Sequence, residues 1–166
     1  TDYLLKLGHR RIAHIGGDPD HAASHLRREG FCAAIEAAGL PPPIDGIVDG
    51  WFDFKSGIMA AERLLDHPHR PTAIFAANDE MAAAACTVAH KMGLRIPDDL
   101  SVIGFDDAPI ASAIWPALTT VRQPYLEMAR RALHILNGHE PGGNERHVLQ
   151  HDLVIRDSTA PARPVA

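Results

Sequence analysis

Four short polar clusters, each closing an apolar run, carry the side chains able to do chemistry: Gly16-Gly17, Gly50-Trp51-Phe52, Asn78-Asp79 and Asp106-Asp107. Carboxylates and an amide accept from and donate to neighbouring hydroxyls, while an aromatic ring covers the apolar C–H face of a sugar. That set suits a polyol, whereas a phosphate would call for Lys, Arg and free N–H groups. Asn78 and Asp79 equally suit helix caps, and Asp106-Asp107 a polar strand end. Of Trp51 and Phe52, one is expected to serve only the core. No G-x-G-x-x-G follows a strand, no P-loop is present, and no Ser or Cys stands at a strand-to-helix elbow, so the expectation is not an enzyme. The eleven His show no paired spacing of a zinc site, so neither a metal nor another cofactor is expected. His14, inside an apolar run, reads as an interior side chain.

These clusters need a frame that gathers them. Short apolar runs alternate with longer helical patterns from residue 11 onward, the signature of βαβ units and a parallel sheet. The runs are 11–15, a weak one at 44–49, 72–77, 100–105 and 118–122, with a final strand expected within 147–157. Helices fall between them. One carries Leu26, Phe31 and Ile35 on one face with Ser24 as its N-cap and Gly39 as its stop. Another starts near Asp53, a third is the Ala-rich stretch ending at Gly93, and a fourth follows Gln123-Pro124 and closes at Gly138, before a loop over 139–146. In an open parallel sheet ligands bind beyond the carboxyl ends of the strands, and all four polar clusters lie on that rim.

Length and composition agree with this frame. The chain has 166 residues, 46% hydrophobic and 22% charged, which fits one core of ordinary globular type. Its apolar runs fall short of the ~20 residues needed to cross a bilayer, so no membrane partner is expected. A formal net charge of −5 speaks against this segment gripping nucleic acid itself. Two Cys, Cys32 and Cys86, read as buried thiols of a reducing compartment. The opening Thr-Asp-Tyr-Leu-Leu-Lys-Leu reads as the second half of an amphipathic helix, so the chain is expected to be a piece of a longer protein.

Four stretches, YLLKLGHRRIAHIGG, AANDEMAAAA, GLRIPDDLSVIGFDD and PALTTVRQP, together with Arg-x-x-Gly-Phe at 27–31, resemble the lactose/galactose repressor (LacI/GalR) family of bacterial transcription regulators in order and spacing. The resemblance covers nearly everything from residue 1 to about 158. It implies an α/β, periplasmic-binding-protein-like (type I) doubly wound parallel sheet. Residues 1–158 would form the C-terminal lobe of a two-lobe effector-binding domain, and about 125–147 would be a crossover helix and loop packing on the first lobe. Residues 159–166 are expected to be a disordered tail.

Position by position, the resemblance makes Arg27, Phe52, Asn78, Asp106 and Gln123 the effector contacts. It implies a small-molecule effector, a carbohydrate by the character of the rim, and operator DNA bound through a helix-turn-helix outside this chain, in the cytoplasm. His21 and Ala23 occupy loop positions that often carry Ser or Thr in the family, which removes a sugar-type contact there. The Ala-rich helix and the following turn imply a homodimer through Met81, Ala84, Ala85, Val88, Ile114 and Trp115. A periplasmic sugar-binding protein feeding a transporter shares the architecture and is the alternative reading.

Overall fold

The computed structural model describes residues 1–43, 45–138 and 147–163. In chain order, a short helix α1 (Asp2–Lys6) leads into strand β1 (Ile12–Gly16) and helix α2 (Ala22–Ala37). β2 (Ile47–Asp49) precedes α3 (Phe54–Leu65), β3 (Ala73–Ala76) precedes α4 (Asp79–Lys91), and β4 (Ser101–Asp106) precedes the short α5 (Ile110–Ala113). β5 (Thr119–Arg122) passes to α6 (Tyr125–Leu136), and β6 (Asp152–Val154) comes last. The strands form one sheet in the order β2-β1-β3-β4-β5-β6, parallel except for the antiparallel β5–β6 pair. This is the doubly wound arrangement, with the order reversing between β1 and β3.

Alternation along the strands sends successive side chains to opposite faces. Ile12, Phe75 and Ile103 pack with Leu4, Phe31 and Ile35 of the α1–α2 layer. Ile15, Ile74 and Val102 pack with Leu64, Leu65, Met81 and Val88 of the α3–α4 layer. Local capping starts the helices of that second layer: Asp53 accepts from the Ser56 N–H, and Asn78 from the Met81 N–H. Gly39, with φ +67°, ends α2 in the left-handed conformation that glycine adopts without a Cβ penalty.

α3 and α4 touch closely. A Cβ on Gly57 would lie 2.7 Å from Met81 Cα and 2.8 Å from Ala84 Cβ. This contact corrects the expected dimer surface, because Met81, Ala84, Ala85 and Val88 are all buried inside the chain. Small side chains on α4 admit the neighbouring helix and the sheet. Trp115 alone of the expected set stands well exposed, at 81%, while Ile114 packs partly against the core.

Other expectations shift as well. His21, not Ser24, occupies the N-cap of α2, and Ser24 is buried within the helix. Ala23, read as a loop residue, lies in the first turn of α2, and Leu26 is exposed rather than on its core face. Cys86 is buried, but Cys32 is exposed on the outer face of α2. The weak second strand shortens to β2; Ile44, the expected loop at 139–146 and residues 164–166 lie outside the described residues. Residues 159–163, expected in a disordered tail, pack back on the domain. Ala160 N donates to Ser101 Oγ, Ala162 N to the Leu7 carbonyl, and Arg163 pairs with Asp98 and Asp99. The reason is Ser158, fully buried and bridging Thr119 N and the Val102 carbonyl, which anchors the chain at the sheet before the segment begins.

His14 is the buried polar residue at the centre of β1. Its ring stacks between Phe31 and Phe75, Nδ1 donates to the Phe75 carbonyl at 2.9 Å, and Nε2 has no hydrogen-bond partner among the described residues. Burial outweighs the bond to Phe75 and lowers its pKa to about 4. Below pH 6.5 the unfolded chain therefore takes up a proton that the folded one refuses, and folding stability falls until the pH reaches about 4. The His14 contribution to this loss should be about 1.6 kcal/mol between pH 6.5 and 5. Chemical denaturation at those two pH values checks it: the difference in unfolding free energy should shrink by about that amount in His14→Phe, and an equal difference in both proteins would refute it.

Candidate functional site

The carboxyl ends of β1, β3, β4 and β5 bring the rim residues together. Asp106, the last residue of β4, offers Oδ1 to Gln123 Nε2 at 2.7 Å and to the Tyr125 hydroxyl at 3.1 Å. Gln123 Nε2 also donates to Tyr125 Oη at 2.9 Å. Arg27 reaches the same carboxylate from α2, with Nη2 3.6 Å from Asp106 Oδ1, and anchors Nη1 on the Ala77 carbonyl at 2.6 Å. Its guanidinium lies over the Phe105 ring with Cζ 4.0 Å from the centroid, and 5.7 Å from the centroid of Phe52. A planar cation between two aromatic faces gains cation–π attraction and keeps one orientation.

Phe52 is held in place by the residues around it. A Cβ on Gly17 would overlap the edge of the Phe52 ring at Cζ and lie 2.6 Å from Ser24 Oγ, so the close approach requires glycine there. Asn78 Nδ2 donates to the Phe52 carbonyl at 2.8 Å, and His21 meets the ring edge-on at 5.7 Å. Phe52 itself has φ +62°, a left-handed conformation that a bulky residue adopts only where its surroundings impose it. The aromatic pair divides its labour: Phe52 packs against both the core and Arg27, and Trp51 is 58% exposed.

Asp106 and Asp107 are the other non-glycine residues at positive φ among the described residues, +110° and +54°. Asp107 is tied inward, accepting from Arg122 Nε and Arg156 Nη2, both at 2.6 Å. Burial alone would push its carboxyl up, but the bonds from Arg156 and Arg122 overcome that and hold it below the ordinary range. The turn thus aims one carboxylate at the rim and the next at two internal arginines. Beside the rim lies an open recess of about 800 Å³, with Arg27 and Gln123 at its edge and Phe75, Ile103, Phe105 and Val121 in its wall.

All five expected effector contacts therefore meet in one connected cluster, though not with equal freedom. Both polar groups of Asn78 are engaged, one capping α4 and the other holding Phe52, so its place is under the aromatic. Two participants, Phe105 and Tyr125, lie outside the four polar clusters and the expected effector contacts. Phe105 could have been found, since it shares a sheet face with Ile103 one residue before Asp106. Tyr125 opens α6, and nothing local marks its hydroxyl as a partner of Asp106. Asp79, which by sequence suits a rim residue and a helix cap equally, is buried and faces β4 and β5. Among the described residues, no group of three or more His, Cys, Asp or Glu is placed to hold a metal ion, and no helix is long and apolar enough to cross a membrane.

The periplasmic binding protein-like domain family matches residues 1–159. The ribose operon repressor of Escherichia coli (strain K12) is 43% identical over 136 residues, 82% of this chain and 41% of the repressor. A solved complex of the transcriptional regulator CelR with cellobiose superposes with a TM-score of 0.85 at 37% identity, over 94% of this chain and 49% of that one. A dimeric Lac repressor superposes with a TM-score of 0.87 at 30% identity, over 97% of this chain and 59% of that one. The chain spans less than half the length of the ribose operon repressor that it matches.

Gly17→Ala should force the Phe52 ring off its seat, because the added methyl and the ring cannot share the space. Overpacking of this kind costs about 1–3 kcal/mol, read as a lowered denaturation midpoint. Unchanged stability would show that Phe52 is not held there.

Proposed function

The chain belongs to the periplasmic binding protein-like domain family, in the branch found in LacI-type transcriptional repressors, and from that premise we propose that it senses a small carbohydrate effector for a DNA-binding regulator. The single observation that carries this reading is the convergence of Arg27, Gln123 and Tyr125 on one Asp106 carboxylate oxygen beside the Phe52 ring. A carboxylate, an amide, a phenol and a guanidinium around an aromatic face recognise adjacent hydroxyls and a C–H surface together. The relatives support the class of ligand, one being named for a ribose operon and another solved with cellobiose.

No bond is made or broken in this function. Effector would close a cleft between this lobe and a second one, and the DNA affinity of the whole protein would change by the difference in effector affinity between its two states. α6 supports the second lobe. No residue of this helix is buried, yet Leu126, Met128, Leu133 and Leu136 are all exposed on it, more apolar surface than a helix facing water alone would carry. Homodimerisation is part of the same proposal, with the exposed Trp115 as its apolar contact and the dimeric Lac repressor as the structural parallel. DNA binding through a helix-turn-helix, and hence a cytoplasmic site of action, follow from the regulator reading. They distinguish it from a transporter's binding protein.

A thermal-shift screen of the full-length protein against mono- and disaccharides, polyols and purines tests the proposal. A sugar should raise the melting temperature, and Asp106→Ala should abolish that rise while leaving the protein folded. Loss of at least one charge-assisted bond to ligand corresponds to about a tenfold weaker affinity or more. A sugar response that survives Asp106→Ala would move the effector site elsewhere, and a purine as the sole hit would overturn the carbohydrate class.

A further inference from the structure

Asp79 opens α4 beneath the rim, and its side chain is 1% exposed. Both of its oxygens are used. Thr120 Oγ1 donates to Oδ1 at 2.5 Å, and the Ala108 N–H donates to Oδ2 at 2.7 Å. The same Thr120 hydroxyl accepts from the Asp107 N–H at 3.4 Å. One carboxylate therefore gathers two consecutive backbone amides, one directly and one through a hydroxyl. These amides follow or belong to the two left-handed residues, Asp106 and Asp107, whose conformation costs free energy that the surroundings must supply. β4 is shaped to let Asp79 in: a Cβ on Gly104 would overlap Asp79 Oδ1 and lie 3.2 Å from Asp79 Cα. Gly104 and Thr120 are register partners in the sheet, so the carboxylate sits against the β4–β5 pair just below Asp106.

We propose that Asp79 is the positioning residue of the effector site: its ionised carboxylate holds the Asp106–Ala108 turn so that Asp106 meets Arg27, Gln123 and Tyr125, and effector binds more weakly when that carboxylate is neutral. The effector role of the rim is the reading given above, on which this rests. A neutral acid keeps only one good acceptor oxygen, and it competes with Thr120 for the role of donor. The turn would then keep its strain and lose part of what holds it.

Charge around Asp79 makes this a graded device. Burial raises its pKa, the bonds from Thr120 and Ala108 lower it, and Asp106 and Asp107 raise it again, for a net value of about 6. From β4 the facing groups are Asp106 and Asp107; Arg122 of β5 and Arg156 neutralise Asp107, Arg27 of α2 neutralises Asp106, and α5 presents no titratable side chain. Because the folded value lies above the ordinary 3.8, the carboxylate is ionised well above pH 6 and takes up its proton as the pH falls through 6. The hold on the turn weakens in that direction.

Amide hydrogen exchange on the wild type at pH 7.5 and 5.5, and on Asp79→Asn at pH 7.5, tests the proposal without any ligand. Protection of Ala108, measured against Ile74 in the central strand β3, should fall about tenfold in the wild type at pH 5.5 and in the variant at pH 7.5, as expected for losing a charge-assisted bond. Protection unchanged by pH would overturn the proposal, and this arm needs no variant to fold. Thr120→Val supplies a second variant, in which exchange at Asp107 should rise more than at Ala108. Calorimetric titration of full-length protein with D-ribose as the probe separates the two readings. Affinity that is present at pH 7.5 and lost at pH 5.5 and in Asp79→Asn supports the positioning role; affinity equal in all three overturns it even where protection falls. D-ribose that fails to bind the wild type at pH 7.5, with Ala108 protection still pH-dependent, counts against ribose as effector and leaves the hold on the turn established.

Discussion

One carboxylate oxygen, Oδ1 of Asp106, accepts from Gln123 and Tyr125 and faces the Arg27 guanidinium. Through it α2, the end of β4 and the passage from β5 to α6 meet at a point. The arrangement depends on the parallel order β1-β3-β4-β5, which places the carboxyl ends of all these strands on one edge and leaves their loops to carry polar groups. It depends equally on the backbone. Asp106 and Asp107 take left-handed conformations that turn successive carboxylates apart, so that one faces the rim and the other meets Arg122 and Arg156.

Three aspartates stand close together here, and their environments give them different work. Asp107 is paired with two arginines and holds its charge below the usual carboxylate range. Asp79 is buried, bonded to a hydroxyl and an amide, and pushed up to about 6. Asp106 stands at the rim with Arg27 as its counter-ion. A single added charge at the rim would be unbalanced, whereas an uncharged polyol can exchange hydrogen bonds with the cluster and leave its ion pairs whole. Such exchange is the physical sense of the proposed carbohydrate effector. Gly17 and Gly104 serve the same end, since each admits a neighbour, Phe52 or Asp79, to a place that any side chain would block.

Much of this was legible in the sequence, and what was missed follows a pattern. The strand and helix alternation, the stop at Gly39 and the four polar clusters of the rim are local signals, written in apolar period and turn chemistry. Arg27 and Gln123 came only through likeness to a family, for nothing in their own neighbourhoods marks them. Burial of Met81, Ala84, Ala85 and Val88 within the chain was misread, because an alanine-rich face says that something approaches closely without saying what; Gly57 of α3 supplies the answer. The packed segment at 159–163 was misread for a related reason. Its hold comes from Ser158 and from Asp98 and Asp99, about sixty residues away in sequence, and composition carries no trace of such pairing. Tyr125 went unmarked in the same way, its hydroxyl acting through Asp106 of β4, and the buried role of Asp79 depends likewise on Thr120 of β5.

The claim on which the rest turns is that the Asp106 cluster is where effector binds. A crystal structure of the full-length protein with the sugar that most raises its melting temperature tests this most directly. Density for that sugar should appear between two lobes, with hydroxyls on Asp106 and Arg27 and one face against Phe52. Sugar bound away from Asp106, with the contacts of Arg27 and Gln123 to that carboxylate unchanged, would contradict it.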